Sequence, residues 1–419
     1  MPPGDRRILV CGPALKPRAV DGLQDVLRDL VDGLRSRGWM VDTLLWPEDY
    51  DAPPQPMRLA LDGWRATLGR MSRSIRLPDS VRLAVRVAIH DRLDASQGSA
   101  LLDALDTRLA SRRYDVVLAC LDTAPVGLAA LVTRAHPRPV LLSLQALGRE
   151  LRAGWLLALA RRSLGRVKGT RWHPDLFKAV DAARVPHALF GSEAWRDDAI
   201  AAGLPAAASF TTCFGVPCPA VLAPAMPPRS PGRLLWGARL SPEKGLHHFL
   251  PAVALVRERQ PIHLTVLAGL GTERYRAKID RLIRTLHLDS TVTFAAPVAR
   301  SRLPQVLAAH DTLLFASPFR SPVAQMLLHA FAHGLVVVGP EPGDPRSVLQ
   351  ANRTAFCFRD SSPPTIAAAI ARSLGDTEMR RLVREQAFEL ARTSQSLDRT
   401  IDRFDALLTD VVAAEAVRQ

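Results

Sequence analysis

The chain has 419 residues, of which 47% are hydrophobic, 23% charged and 5% aromatic, and it carries a formal net charge of +14. That length corresponds to two or three ordinary domains, and that apolar content is enough to build cores, which excludes a disordered chain. The best apolar run, Val116 to Val132, is interrupted by Asp122, so no stretch reaches the ~18 residues a membrane-spanning helix needs.

In chain order, Arg7–Cys11 reads as a buried first strand, because Ile8 to Cys11 after Arg6–Arg7 is too short for a secretory core. A helix is predicted from about Val20, with Leu23, Val26, Leu27, Leu30, Val31 and Leu34 on one face and a stop at Arg37–Gly38. Further strands are predicted at Val41–Trp46, Tyr114–Leu121, Pro139–Leu144 and His187–Gly191. The alternation resumes with Arg233–Gly237, Ile262–Ala268, Val292–Ala295, Thr312–Ala316, Leu335–Val338 and Ala355–Phe358. Helical patterns separate these runs, which argues parallel sheets covered on both faces.

Pro217, Pro219, Pro224, Pro227, Pro228 and Pro231 crowd one short stretch that can be neither helix nor central strand. The chain is therefore expected to be α/β, with two doubly wound, Rossmann-like domains facing across a cleft. The divisions are 1–218, a Pro-rich linker 219–231, a second domain 232–395, and a last helix 396–419 that is a candidate to fold back on the first domain. A ligand is expected at the carboxyl ends of the strands. The five cysteines (11, 120, 213, 218, 357) are scattered and lack CxxC spacing, so they are read as reduced and cytoplasmic, with no zinc site.

Three segments carry chemistry. Gly269–Leu270–Gly271, followed by Thr272, Glu273 and Arg274, is a partial dinucleotide fingerprint with Arg274 in place of the third glycine, and an NAD site is not expected there. In Gly237 to Gly245, Arg239 and Lys244 stand five residues apart across a strand–helix turn. They suit a diphosphate, Arg as a fixed fork and Lys as a point charge, and equally an exposed helix start. From Ser317 to Gly334 a strand ends and a helix is predicted over Pro322–His333, its first free N–H groups offering an anion or hydroxyl site. Gln325, His329 and His333 follow one another at one-turn intervals; an HxxxH pair can bind metal, but no third ligand is evident, and a capping or core histidine is the commoner explanation.

In this order and spacing the segments resemble the GT-B nucleotide-sugar glycosyltransferases, in particular the large retaining family 4. The landmarks are Ala238–Gly245, Gly269–Gly271, Val292–Phe294, Ser321–Gly334 and Pro342–Pro345, with Asp21–Gly22 before the first long helix looking like the family's Gly-Gly loop. The resemblance implies that Arg239 and Lys244 hold the donor's diphosphate and stabilise the departing nucleotide, and that Gly22 lets the first-domain backbone approach it. It places the helix start at Val323, Ala324 and Gln325 against the donor sugar and the strand end near Val298 against the base. No metal or other cofactor is implied; the nucleoside diphosphate sugar is a co-substrate, and the acceptor attacks from the leaving group's face.

Three features depart from the family pattern. Ser321 and His329 stand where the family has its two glutamates, Gln145 where it has a histidine, and Asp21–Gly22 where it has paired glycines. A neutral His329 can accept ribose hydrogen bonds through one nitrogen, and Ser321 can hydrogen-bond a sugar without charge. The phosphate-binding residues are kept and the sugar-reading ones rewritten.

Two stretches concentrate positive charge: Arg58 to Arg86 with seven Arg against two Asp, and Arg149 to Lys178 with eight cations against two carboxylates. With their interspersed Leu, Met and Trp they are candidates for an anionic membrane surface, or solvated helix faces packed on a sheet. Nucleic acid is not expected as a partner, since aromatics do not alternate with the cations. The expected activity is hexosyl transfer with retention from a nucleoside diphosphate sugar to a hydroxyl of a glycan, lipid or small molecule. The expected location is the cytoplasm, with peripheral attachment to the membrane's inner face as an option. The alternative is a catalytically silent GT-B pseudoenzyme that serves as a binding or scaffold partner.

Overall fold

The computed structural model describes residues 6–13, 22–46, 107–119, 140–143, 187–191, 193, 196–197, 200, 209–211, 214–224, 232–316, 325–341 and 348–418. Two compact units divide the chain. The first comprises Met1–Leu15, Leu27–Thr212 and Arg403–Gln419, the second Lys16–Val26 and Cys213–Asp402.

The first unit holds a parallel sheet in the order β2-β1-β3-β4-β5-β6. Its strands are β1 (Arg7–Pro13), β2 (Met40–Trp46), β3 (Val116–Ala119), β4 (Val140–Ser143), β5 (His187–Phe190) and β6 (Ser209–Thr211). Ile8, Leu9, Val10, Val116, Val117 and Leu118 are fully buried, as expected of strands covered on both faces. Helix α1 (Gly22–Ser36) joins β1 to β2 and buries Val26, Leu27, Leu30, Val31 and Leu34, a stripe at helical spacing. It ends at Gly38, whose φ of 85° lets Trp39 N–H return to the Leu34 carbonyl.

Trp39 does more than close that turn. Its indole Nε1 donates to Asp405 at 2.7 Å, and the Arg6 guanidinium lies 4.6 Å from its ring centre while also donating to Thr409. Asp405 and Thr409 belong to the C-terminal helix, Leu397–Arg418, which is thereby fastened to the first unit's sheet end. At β2, Asp42 accepts from Tyr114 Oη at 2.9 Å and from Arg112 at 3.2 Å. Those contacts hold the Asp42 carboxyl below its ordinary range against the opposing pull of burial.

The parallel sheet of the second unit runs β12-β11-β10-β7-β8-β9, with β7 (Gly232–Leu240), β8 (Ile262–Gly271), β9 (Val292–Ala295), β10 (Thr312–Leu314), β11 (Val336–Pro340) and β12 (Phe356–Phe358). The connecting helices are α2 (Leu246–Arg257), α3 (Glu273–Thr285), α4 (Leu303–Ala308), α5 (Gln325–Ala332), α6 (Pro363–Gly375) and α7 (Thr377–Ser394), and the C-terminal helix becomes α8. Chain order is therefore reversed between β7 and β10, the switch point of a doubly wound sheet. One core, with Trp236, Phe249, Val253, Ile279, Phe356 and Ile370, lies under α2, α3 and α6. A second, with Leu235, Leu328, Phe331, Val337 and Ala391, lies under α5 and α7.

The segment 214–224 is strapped to the second unit by three contacts. Gly215 N–H donates to Thr400 Oγ1 at 2.9 Å, Val216 bridges Ser396, and Arg384 donates to the Gly334 carbonyl at 2.6 Å and to that of Ala223 at 3.1 Å. A Cβ on Gly215 would stand 2.3 Å from the Ser396 carbonyl oxygen, so only glycine fits this crossing.

Candidate functional site

Six parallel strands of the second unit point their carboxyl ends the same way, and the candidate residues gather at the switch point between β7 and β10. β7 leaves the sheet through an irregularity: Arg239 pairs with Gly269 but Leu240 with Gly271, a register shift that re-aims the strand end. Gly271 permits it, since a Cβ there would meet the Leu240 carbonyl oxygen at 2.5 Å. Arg239 is exposed at this end, and Lys244 closes the short 3-10 turn Pro242–Lys244 that follows.

Two glycines set where that turn stands. Gly245 has φ 70°, and a Cβ on it would lie 2.7 Å from Ala316 Cβ, so the turn carrying Lys244 is pressed against the exit of β10. Gly237 faces Met326 of α5 with the same closeness, a virtual Cβ falling 2.7 Å from Met326 Cε. The first turn of α5 thus lies over the end of β7. Within the turn, Ser241 Oγ is buried and makes no hydrogen bond.

Helix α5 supplies the other candidates. Gln325, its first residue, donates through Nε2 to the Phe214 carbonyl at 2.8 Å, which ties the helix start to the 214–224 segment. His329 lies one turn on and is 8% exposed; its Nδ1 is buried and makes no hydrogen bond. Burial, reinforced by the nearby Arg300 guanidinium and by His333, pushes its pKa down to about 3. The His333 ring stacks at 6.4 Å and 15°, and burial lowers its pKa too. Both imidazoles are therefore neutral across the physiological range. Val298, in the loop after β9, is half-buried against the core that holds Leu327, Leu328 and Phe331. Arg300 opens the 3-10 turn Arg300–Arg302 just beyond it.

Of the residues expected from sequence, Arg239, Lys244, Val298, Gln325 and His329 are thus placed on the carboxyl-end loops and α5 of one sheet. Gly22 is the first residue of α1. Gln145, Ser321, Val323 and Ala324 lie outside the described residues, as do the turn Pro342–Pro345, residues 225–231 of the linker and the basic stretches 58–86 and 149–178. Among the described residues no group of three His, Cys, Asp or Glu could hold a metal, no helix is long and apolar enough to cross a membrane, and Cys11, Cys218 and Cys357 are free thiols. Arg300 was not foreseen: nothing in its local sequence signals that the loop after β9 brings it beside His329. Nor was the Gln325 bond to Phe214, which spans 111 positions.

Residues 231–376 match the family model described as "Glycosyl transferases group 1". No curated sequence is significantly similar to the chain. Among solved structures, a sucrose-phosphate synthase from Thermosynechococcus elongatus superposes with a TM-score of 0.70 at 15% identity, covering 98% of this chain and 100% of that one. HepE (Alr3699) of Anabaena, in complex with UDP and glucose, gives 0.64 at 17% identity over 97% and 100%. A glycosyltransferase from Rickettsia africae gives 0.62 at 12% over 97% and 99%. These likenesses cover both units and show a shared fold. The chain has the GT-B fold, and its residues 231–376 are similar to the group 1 glycosyltransferase domain.

Proposed function

We propose that the protein is a metal-independent, retaining glycosyltransferase of family 4. In this reading it moves a hexosyl group from a nucleoside diphosphate sugar to a hydroxyl of a glycan, lipid or small molecule. The observation that carries the reading is that Arg239 and Lys244 stand at the switch point, inside the matched domain, on a strand end and turn whose glycines pack on Met326 of α5 and on Ala316 after β10. As the anomeric C–O bond breaks, negative charge develops on the departing diphosphate. Fixed cations aimed at that charge, a forked guanidinium and an ammonium, lower the barrier without a metal. His329, neutral and with an unbonded Nδ1, accepts a hydrogen bond from a hydroxyl of the nucleotide's ribose. Val298 meets the base, and Ser321 and the stretch 323–325 meet the sugar. Gly22 and Gln145 line the donor from the first domain, and stretches 58–86 and 149–178 meet an anionic membrane surface that presents the acceptor.

HepE has been solved with UDP, with UDP-glucose and with UDP plus glucose, which makes uridine nucleotides the first to try. Thermal shift against UDP, GDP, ADP, CMP and dTDP tests binding, since a ligand at 100 times its Kd adds about 2.7 kcal/mol to stability. Hydrolysis or transfer from the matching sugar nucleotide then tests turnover. Arg239→Ala is expected to abolish transfer and weaken the nucleotide; unchanged activity would sink the assignment. The second reading, a silent GT-B scaffold, is favoured by the neutral His329 standing where the family has a carboxylate. It predicts nucleotide binding, or none, without turnover by the wild-type protein.

A further inference from the structure

The second unit has a charged surface that the donor site does not use. Segment 246–285, which contains α2, β8 and α3, carries seven Arg and Lys against three carboxylates. The helix α3 buries Tyr275, Ile279 and Ile283, at intervals of four, against the sheet. That fixes which side faces out. Arg274, Lys278 and Arg281 share a flank of the outward side at intervals of four and three, and all three are exposed. One of the helix's two carboxylates, Asp280, is taken up by Arg276, which grips both its oxygens at 2.8 and 3.1 Å from the opposite flank. No ion pair or hydrogen bond of Arg274, Lys278 or Arg281 forms within the described residues.

Helix α2 continues this surface. The two helices are joined by the His247 Nδ1 to Tyr275 Oη bond of 2.8 Å and by Arg257, which donates to the His287 carbonyl. Lys278 stands close enough to His247 for its charge to help depress that imidazole's pKa, which puts the Arg274–Lys278–Arg281 flank on the α2 side. The outward positions of α2 are His248, Pro251 and Leu255, and Leu255 is one of three large apolar side chains exposed among the described residues, at 37%. The combined face carries a row of cations over about 10 Å of helix beside an exposed leucine.

We propose that this face of α2 and α3 docks the protein on an anionic lipid bilayer. The row supplies charge without a structural partner, and each Lys or Arg near such a surface favours binding about five-fold. Leu255 supplies an apolar contact that a leaflet can accept. Single-stranded nucleic acids are recognised chiefly by stacking successive bases on several aromatic side chains, and the outward positions named here offer only the His248 ring, since Tyr275 and Phe249 are buried at 4% and 0% exposure.

The test is co-sedimentation of the full chain with phosphatidylcholine vesicles, with and without phosphatidylglycerol, at low and raised salt. Binding to the anionic vesicles alone, weakened by salt, is expected. The triple variant Arg274→Gln, Lys278→Gln, Arg281→Gln should lower the partition coefficient about a hundred-fold. A charge-matched control on other surfaces, Arg359→Gln, Arg381→Gln, Arg392→Gln, should lower it only slightly. Lys278→Glu alone, which leaves the buried stripe of α3 untouched, should lower it about ten-fold or more. No vesicle binding by the wild type, or equal binding by the triple variant and the control, overturns the proposal. So does retention on dextran sulfate without retention on vesicles, which would assign the face to a soluble polyanion.

Discussion

Replacing His329 by Gln and lowering the pH measures how firmly the second unit holds an imidazole neutral. His329 is 8% exposed, and burial together with the Arg300 guanidinium drops its pKa from 6.5 to about 3. In the unfolded chain the same ring titrates near 6.5. Below that pH the unfolded state binds a proton that the folded state refuses, so folding stability falls as pH falls. The loss begins near the unfolded value and is complete only near the folded one. At about pH 5 the two states differ by most of one proton over one and a half units, which is about 2 kcal/mol at 1.36 kcal/mol per unit. Glutamine does not titrate, and the other titrating groups are common to both proteins. Urea unfolding of wild type and His329→Gln at about pH 7.5 and about pH 5 should therefore show the wild type losing about 2 kcal/mol more than the variant. If the difference between the two proteins is the same at both pH values, His329 protonates freely in the fold, and the account of its environment is wrong.

Gly245→Ala forces a side chain into a left-handed backbone and sets its Cβ 2.7 Å from Ala316. The cost is roughly 2 kcal/mol or more, read as a Tm fall of roughly 4 °C or more, together with weaker nucleotide binding as the Lys244 turn shifts. An unchanged Tm would show that the turn relaxes freely. Arg384→Ala removes the guanidinium that holds the Gly334 and Ala223 carbonyls; a loss of about 2 kcal/mol is expected, with faster proteolytic cutting in 214–224. Trp39→Phe deletes the bond to Asp405 and should cost about 1 kcal/mol, seen as faster amide exchange in α8 with β10 and β11 unaffected.

The sheets were legible because fully buried parallel strands are written as unbroken apolar runs; Val116 to Ala119 and Val336 to Val338 need no partner to be recognised. β6 was missed because Ser209–Thr211 is too short and too polar to stand out, and it exists only through its pairing with β5. β7 was read as ending at Gly237, whereas it continues to Leu240, because the register shift at Arg239 depends on a partner strand that the local sequence does not show. The reading of Arg239 and Lys244 needed only the turn between strand and helix. The state of His329 needed more: as sequence it was a capping or core histidine, and its burial beside Arg300 arises from a loop 29 positions earlier in the chain that approaches α5 only once the sheet has formed.

A carboxylate and a buried neutral imidazole are different instruments at the same place. A carboxylate accepts several hydrogen bonds, each strengthened by its charge, and would answer the guanidinium of Arg300 directly. The imidazole of His329 accepts one, uncharged, and leaves the positive field of Arg300 unopposed by α5. The donor site proposed for the second unit is then more cationic than a glutamate would leave it, which in that reading favours the diphosphate while weakening the grip on a hydroxyl. That cationic character does not come from titrating rings. It comes from the guanidinium and ammonium groups of Arg239, Lys244 and Arg300, while burial lowers the pKa values of His329 and His333. Protonation of His329, whose pKa is pushed down to about 3, can then add nothing to diphosphate affinity between about pH 6 and pH 8, and the His329→Gln protein should bind nucleotide with the wild-type pH profile across that range, shifted only in absolute affinity.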